Sequence, residues 1–120
     1  MLVRAKDALG RYGEDVAVRV LLSAGFELLD RNWRCDAGEI DIVARDGDVL
    51  VVCEVKTRSS NAFGSPLEAV DSAKLHRLHR LAGRWLAVHD VRPARIRVDV
   101  VAVLRPRYGA SRVDHLRGVA

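Results

Sequence analysis

The stretch that most restricts the fold is Gly38 to Lys56, GEIDIVARDGDVLVVCEVK. Two runs rich in valine and isoleucine flank Asp46-Gly47, the composition of two strands joined by a two-residue hairpin turn. Strand interiors are poor in acids, yet this hairpin carries Glu39 and Asp41 in its first strand, and Glu54 with Lys56 in its second. With Asp46-Gly47 as the loop, Arg45 pairs with Asp48, Val43 with Leu50, Asp41 with Val52 and Glu39 with Glu54.

Side chains alternate faces along a strand. Ile40, Ile42 and Ala44 therefore point one way, and Glu39, Asp41 and Val43 the other. On the second strand Val51, Cys53 and Val55 share one face, and Leu50, Val52, Glu54 and Lys56 the opposite one. One face of the hairpin is then wholly apolar, while the other is apolar near the turn and charged at its far end. Asp41 and Glu54 become diagonal neighbours, with backbones about 7–8 Å apart. Lys56 lies about 7 Å beyond Glu54 on the same face. A three-residue turn would reverse the parity and separate the two acids.

Carboxylates this close repel one another unless something positive sits among them. A hard divalent cation is the natural occupant, and Mg²⁺ needs only one or two protein carboxylates. The chemistry that uses such a set is metal-assisted phosphodiester hydrolysis, with the lysine steadying or activating the attacking water.

Around the hairpin, residues from about 4 to 24 have an amphipathic helical pattern, with Leu9, Tyr12, Val16, Ala17, Val20, Leu21 and Ala24 on one stripe and Gly25 as the stop. Phe26 to Arg34 is a first strand, and 58–64 a loop. Ser65-Pro66-Leu67-Glu68 has the form of a helix start, with a capping serine, proline at the first helical position and glutamate three residues after the cap. That helix runs to about His89, with Val70, Leu78, Leu81, Trp85 and Val88 on its stripe. Residues 96–104 form a fourth strand and 112–117 a short fifth. The order αβββαβ predicts one α/β domain over residues 1–120, a mixed sheet with helices packed on it.

Each charged residue also has a plainer reading. Asp41 or Glu54 alone is an outward acid on a half-exposed sheet, and Lys56 a solubilising strand end. The chain has 17 arginines but only Lys6, Lys56 and Lys74 as lysines, so a generic positive charge here would be arginine; lysine is a compact charge with a movable pKa. Lys74 falls within the apolar stripe between Val70 and Leu78. It either snorkels or overlooks the acidic end of the hairpin. Glu14 borders the first helix's stripe, and periodicity gives it no role. His76, His79, His89 and His115 lack ligand spacing, Cys53 belongs to the apolar face, and Trp33 and Phe63 suit packing better than base stacking.

The formal net charge is +4, which favours polyanionic partners. From Arg92 onward seven arginines face only Asp99 and Asp114, and residues 74–84 carry Lys74, Arg77, Arg80 and Arg84 without an acid. This is either a phosphate-contacting surface or a solvated basic face. No apolar run approaches a membrane span, no signal peptide is visible, and Cys35 and Cys53 lack C-x-x-C spacing. A cytoplasmic protein with reduced thiols is the expectation.

Asp41 followed one strand later by Glu54-Val55-Lys56 resembles the PD-(D/E)xK signature of the restriction-endonuclease-like superfamily, with Ile40 in place of the leading proline-aspartate's proline. Gly13-Glu14, Asn32-Trp33-Arg34, Gly38-Glu39-Ile40-Asp41, Glu54-Val55-Lys56-Thr57-Arg58, Phe63-Gly64-Ser65-Pro66, Lys74 and Asp99-Val100-Val101 together extend the likeness. The pattern resembles the YraN-type family of small bacterial endonuclease-like proteins, similar in core to archaeal Holliday-junction resolvases. The resemblance implies an αβββαβ nuclease core, a Mg²⁺ or Mn²⁺ site at Asp41 and Glu54, Lys56 as catalytic lysine, and Glu14 joining the metal site. It also implies branched DNA as partner and a homodimer; the basic residues Arg58, Lys74, Arg77, Arg80 and Arg84 are the expected nucleic-acid contacts. Two rival expectations stand beside this: a nucleic-acid-binding module on a nuclease fold without catalysis, and an adapter whose basic helix docks an acidic protein.

Overall fold

The computed structural model describes residues 5–60 and 70–119. Its elements are α1 (Ala5–Ser23), β1 (Glu27–Cys35), β2 (Gly38–Asp46), β3 (Val49–Arg58), α2 (Ser72–Ala87), β4 (Arg95–Leu104) and β5 (Arg112–Leu116). The strands form one sheet in the order β1-β2-β3-β4-β5. β3 and β4 are parallel and the other pairs antiparallel. This is the mixed sheet flanked by helices expected of an α/β chain.

The two helices cover opposite faces. Val16, Ala17 and Leu21 of α1 pack with Phe26 onto Ile42, Ala44, Val51, Cys53, Val101 and Val103. Leu78, Leu81, Ala82 and Trp85 of α2 pack onto Ile40, Val43, Leu50, Val52 and Val98. The helix α1 ends as Gly25 predicts. With Gly25 at φ +89, its N–H reaches the Leu22 carbonyl and the Phe26 N–H reaches that of Leu21, the paired bonds of a Schellman cap.

α2 begins later than its sequence suggests. Asp71 is the N-cap, its carboxylate accepting the Lys74 N–H at 2.8 Å, so Val70 precedes the helix and takes no place on its stripe. Val88 is the C-cap and 68% exposed, which removes it from the stripe as well. The Ser65-Pro66 start and Phe63 lie outside the described residues.

The hairpin register also differs from expectation. Asp46 pairs with Val49, so Gly47-Asp48 is the two-residue loop and Val43 faces Val52 instead of Leu50. Glycine, at φ +62, thus holds the first turn position, as a type II′ hairpin prefers. Asp46 is kept in the strand by Arg97 of β4, whose Nη1 donates to Asp46 Oδ2 at 3.0 Å. Because the shift is even, the expected facing of side chains survives along the paired residues Ile42 to Asp46. The ladder ends at Ile42–Cys53, one step short of Asp41 and Glu54.

Candidate metal and nucleic-acid site

The pleat slips at this point. Arg31 pairs with Ile42 and Trp33 with Ile40, so a regular sheet would turn all four toward one helix. Instead Ile42 packs under α1 and Ile40 under α2. Arg31 likewise reaches acids of α1, and Trp33 packs in the α2 cluster. Both strands turn over at Asn32 and Asp41. Asn32 sits at φ +53, the only positive φ of a non-glycine among the described residues, a conformation asparagine tolerates better than most. The expectation that Ile40 shares a face with Ile42 and Ala44 fails for this reason.

The slip aims Asp41 at β3. Its Oδ2 accepts the Val55 N–H at 2.9 Å, so the carboxylate takes a bond a strand carbonyl would otherwise take. Burial, then the charge of Glu54, raise the Asp41 pKa to about 7; the Val55 N–H opposes them, and Glu14 and Glu39 add smaller upward pushes. This carboxyl is therefore far more readily protonated near neutral pH than an ordinary aspartate, unless a cation stabilises its charge.

Glu54 is 8% exposed and lies on the α2 side. One oxygen, Oε1, meets Lys74 Nζ at 2.8 Å and Lys56 Nζ at 3.4 Å. Burial alone would lower the Lys74 pKa, but the bond and charge of Glu54, with smaller contributions from Lys56 and Asp41, together outweigh it and the net shift is upward. Of the two sequence readings of Lys74, the one that points it into the acidic end is correct. Asp41, Glu54, Glu39, Lys74 and Arg77 line one cavity of about 230 Å³ with Gly38, Leu78 and Leu81.

Glu14 comes from the other face. Gly13 lets α1 approach β3 closely: a Cβ there would stand 1.8 Å from Thr57 Oγ1. The next residue, Glu14, pairs with Arg31 at 3.6 Å and acts on Asp41 as a negative charge weaker than Glu54. Among the described residues no three His, Cys, Asp or Glu side chains gather around one point. Asp41 and Glu54 are thus the pair that could hold an ion. Two hard oxygen donors, one of them destabilised by its charged neighbour, suit Mg²⁺ or Mn²⁺, which complete their shells with water.

The remaining cations divide. Arg77 lines the cavity; Arg80 is exposed on the same flank of α2. Arg84 pairs with Asp36 in the β1–β2 turn, which lowers the Asp36 pKa through the bond and charge of Arg84. On β3, Lys56 and Arg58 border a small basic recess with Arg112 and Asp114 of β5.

Sequence reasoning missed a second charged centre. Asp99 is fully buried beneath Arg97, which donates from Nε and Nη2 at 2.8 and 3.1 Å, with His115 Nε2 at 2.8 Å and the Gly118 N–H at 3.0 Å. Burial alone would raise its pKa, but Arg97, the Gly118 amide and His115 hold it below the ordinary value. Its alternation was the available signal: Asp99 interrupts an apolar strand on the face of Val101 and Val103. His89 is likewise structural, stacked 3.9 Å from Trp85, and Cys53 is core.

The class these features define is an α/β protein whose five-stranded mixed sheet gathers acids and lysines where two strands part. A family model described as "Uncharacterised protein family UPF0102" matches residues 13–103, and the chain belongs to that family, the YraN type. A UPF0102 protein of Beutenbergia cavernae is 64% identical over 117 residues, covering 98% of this chain and 99% of its own. One of Kineococcus radiotolerans is 63% identical over 119 residues, covering 98% of each. One of Streptomyces coelicolor is 57% identical over 120 residues, covering 98% of this chain and 92% of its own. The matched span contains Glu14, Asp41, Glu54, Lys56 and Lys74. No described helix is long and apolar enough to cross a membrane.

Proposed function

We propose that the protein is a metal-dependent DNA endonuclease of the restriction-endonuclease-like, PD-(D/E)xK type. It hydrolyses phosphodiesters in branched or structured DNA during cytoplasmic recombination or repair. The observation that carries this reading is that Asp41, held by the Val55 N–H, and the buried Glu54 line one cavity, with Lys74 and Lys56 both on Glu54. A purely structural sheet has no need of that arrangement, and a binding module or adapter has none either.

Asp41 and Glu54 would hold Mg²⁺ or Mn²⁺, and the bound ion would withdraw charge from the scissile phosphate. The Val55 N–H fixes the Asp41 carboxylate, leaving its second oxygen for the ion. Lys56, on the same strand face as Glu54, would steady the attacking water as a donor, or take its proton after giving one of its own to solvent. Glu14 adds negative potential from α1. Arg77 and Arg80 on α2, with Arg58 on β3, hold backbone phosphates, which gives preference for shape over sequence. A homodimer would present two such sites to a four-way junction.

Replacing Lys56 separates catalysis from binding. Lys56→Met should bind a labelled four-way junction as wild type does and cleave it in Mn²⁺ roughly 10²–10⁴ times more slowly, the usual worth of proton transfer by a positioned side chain. Undiminished cleavage by Lys56→Met would remove lysine from the mechanism.

A further inference from the structure

We propose that Lys74 is an internal stand-in for the divalent cation: it occupies Glu54 until metal displaces it, and then joins Arg77 to receive a DNA phosphate. The inference rests on Asp41 and Glu54 being a metal site, and it adds a coupling between metal and DNA to that reading.

Two ammonium groups crowd a single carboxylate oxygen, Lys74 at 2.8 Å and Lys56 at 3.4 Å from Glu54 Oε1. A divalent ion arriving at Glu54 meets like charge and must compete for that oxygen. Lys56 is set two residues along the same strand, so its position follows Glu54. Lys74 belongs to the first turn of α2, where Asp71 caps its backbone N–H, and its side chain crosses to Glu54 along a cavity it lines with Arg77. The space of about 230 Å³ that these residues line gives its ammonium room to move on the side of Arg77.

A lysine driven off Glu54 needs another anion. Arg77 is three residues on, a neighbour on the helix surface, so the displaced ammonium and the guanidinium together face the cavity as a pair suited to one phosphodiester group. Metal and DNA would each favour the same displaced Lys74. Linkage then requires that each tighten the other's binding by the same factor. Removing Lys74 abolishes both the competition and the coupling.

The test is Mn²⁺ titration of the full chain at pH 8, followed by the electron paramagnetic resonance signal of free Mn²⁺, with and without a non-hydrolysable four-way junction. Without DNA, Lys74→Ala should bind Mn²⁺ roughly tenfold more tightly than wild type, the order expected of one unit charge about 5 Å from a divalent ion when solvent screens the pair with a dielectric constant of about 80. The junction should tighten Mn²⁺ binding to wild type and leave that of Lys74→Ala unchanged. Arg19→Ala, which removes an exposed charge of α1, should behave as wild type. Lys74→Met, which keeps the aliphatic stem, replaces Lys74→Ala if the latter does not fold. Equal or weaker Mn²⁺ binding by the Lys74 variant overturns the proposal, as does equal tightening by DNA in both proteins. Absence of Mn²⁺ binding in every protein overturns the metal site itself, and the proposal with it.

Discussion

Asp41→Asn should stabilise the metal-free protein, and by an amount that depends on pH. The amide keeps an oxygen to accept the Val55 N–H, now bonded to Asp41 Oδ2 at 2.9 Å, but it carries no charge against Glu54. An acid whose folded-state pKa is raised from 3.8 to about 7 binds its proton more tightly when folded. Folding stability therefore falls as pH rises through that window. The cost is absent below about pH 4, grows by ~1.4 kcal/mol per pH unit, and is complete above about pH 7, reaching at most ~4 kcal/mol. Partial exposure screens some of it, so ~2 kcal/mol is the working figure. For a domain of this size that is a rise in Tm of about 6 °C or more.

The assay is thermal unfolding by circular dichroism in EDTA, at pH 4, 5.5, 7 and 8, for wild type and Asp41→Asn. The two should melt together at pH 4 and diverge through pH 7, with the variant more stable. Added Mn²⁺ should raise the wild-type Tm at pH 8 and leave the variant's unchanged. A variant no more stable than wild type at pH 8, or an advantage that persists undiminished at pH 4, would refute the electrostatic reasoning.

Three further outcomes follow from particular contacts. Gly13→Ala places a methyl group 1.8 Å from Thr57 Oγ1 and should cost about 1–3 kcal/mol in urea unfolding despite alanine's helix propensity; Thr57→Ala in the same chain should recover part of that loss. Asp30→Ala strips the Trp85 Nε1–H of its acceptor, now at 2.9 Å, and should destabilise the fold by about 1–3 kcal/mol with a change in tryptophan fluorescence. Asp99→Ala leaves Arg97 without its buried partner and should cost about 3–5 kcal/mol. In wild type the stabilisation from Asp99 is present above its ordinary pKa of 3.8 and lost as pH falls below it, because the folded-state value is lowered.

The strands and both helices are legible in the sequence because valine-rich runs, glycine stops and apolar stripes are local signals. That Asp41 and Glu54 come close is as expected, but the slip at Asp41 and its bond to the Val55 N–H bring them together, not the parity of the loop. What escapes is whatever a distant residue decides. Asp46 looks like a turn residue, yet Arg97, 51 residues away, holds it in β2. The face switch at Asp41 needs Asn32 to adopt a left-handed backbone, and an asparagine within a strand pattern was the only local hint. Lys74 in an apolar stripe was ambiguous until the partner of α2 was known, and that partner is Glu54. Gly13 is a poor helix residue whose reason is the approach of Thr57.

The central claim, that these acids and lysines form a DNA-cutting site, is tested most directly by a cleavage panel. Four-way junction, flap, single strand and linear duplex would be incubated in Mn²⁺ and in Mg²⁺ with wild type beside Glu54→Ala. The expected result is metal-dependent cleavage by wild type, strongest on branched substrates, with none by Glu54→Ala, which still binds the same DNA. Intact substrates throughout, or equal cleavage by Glu54→Ala, would contradict it.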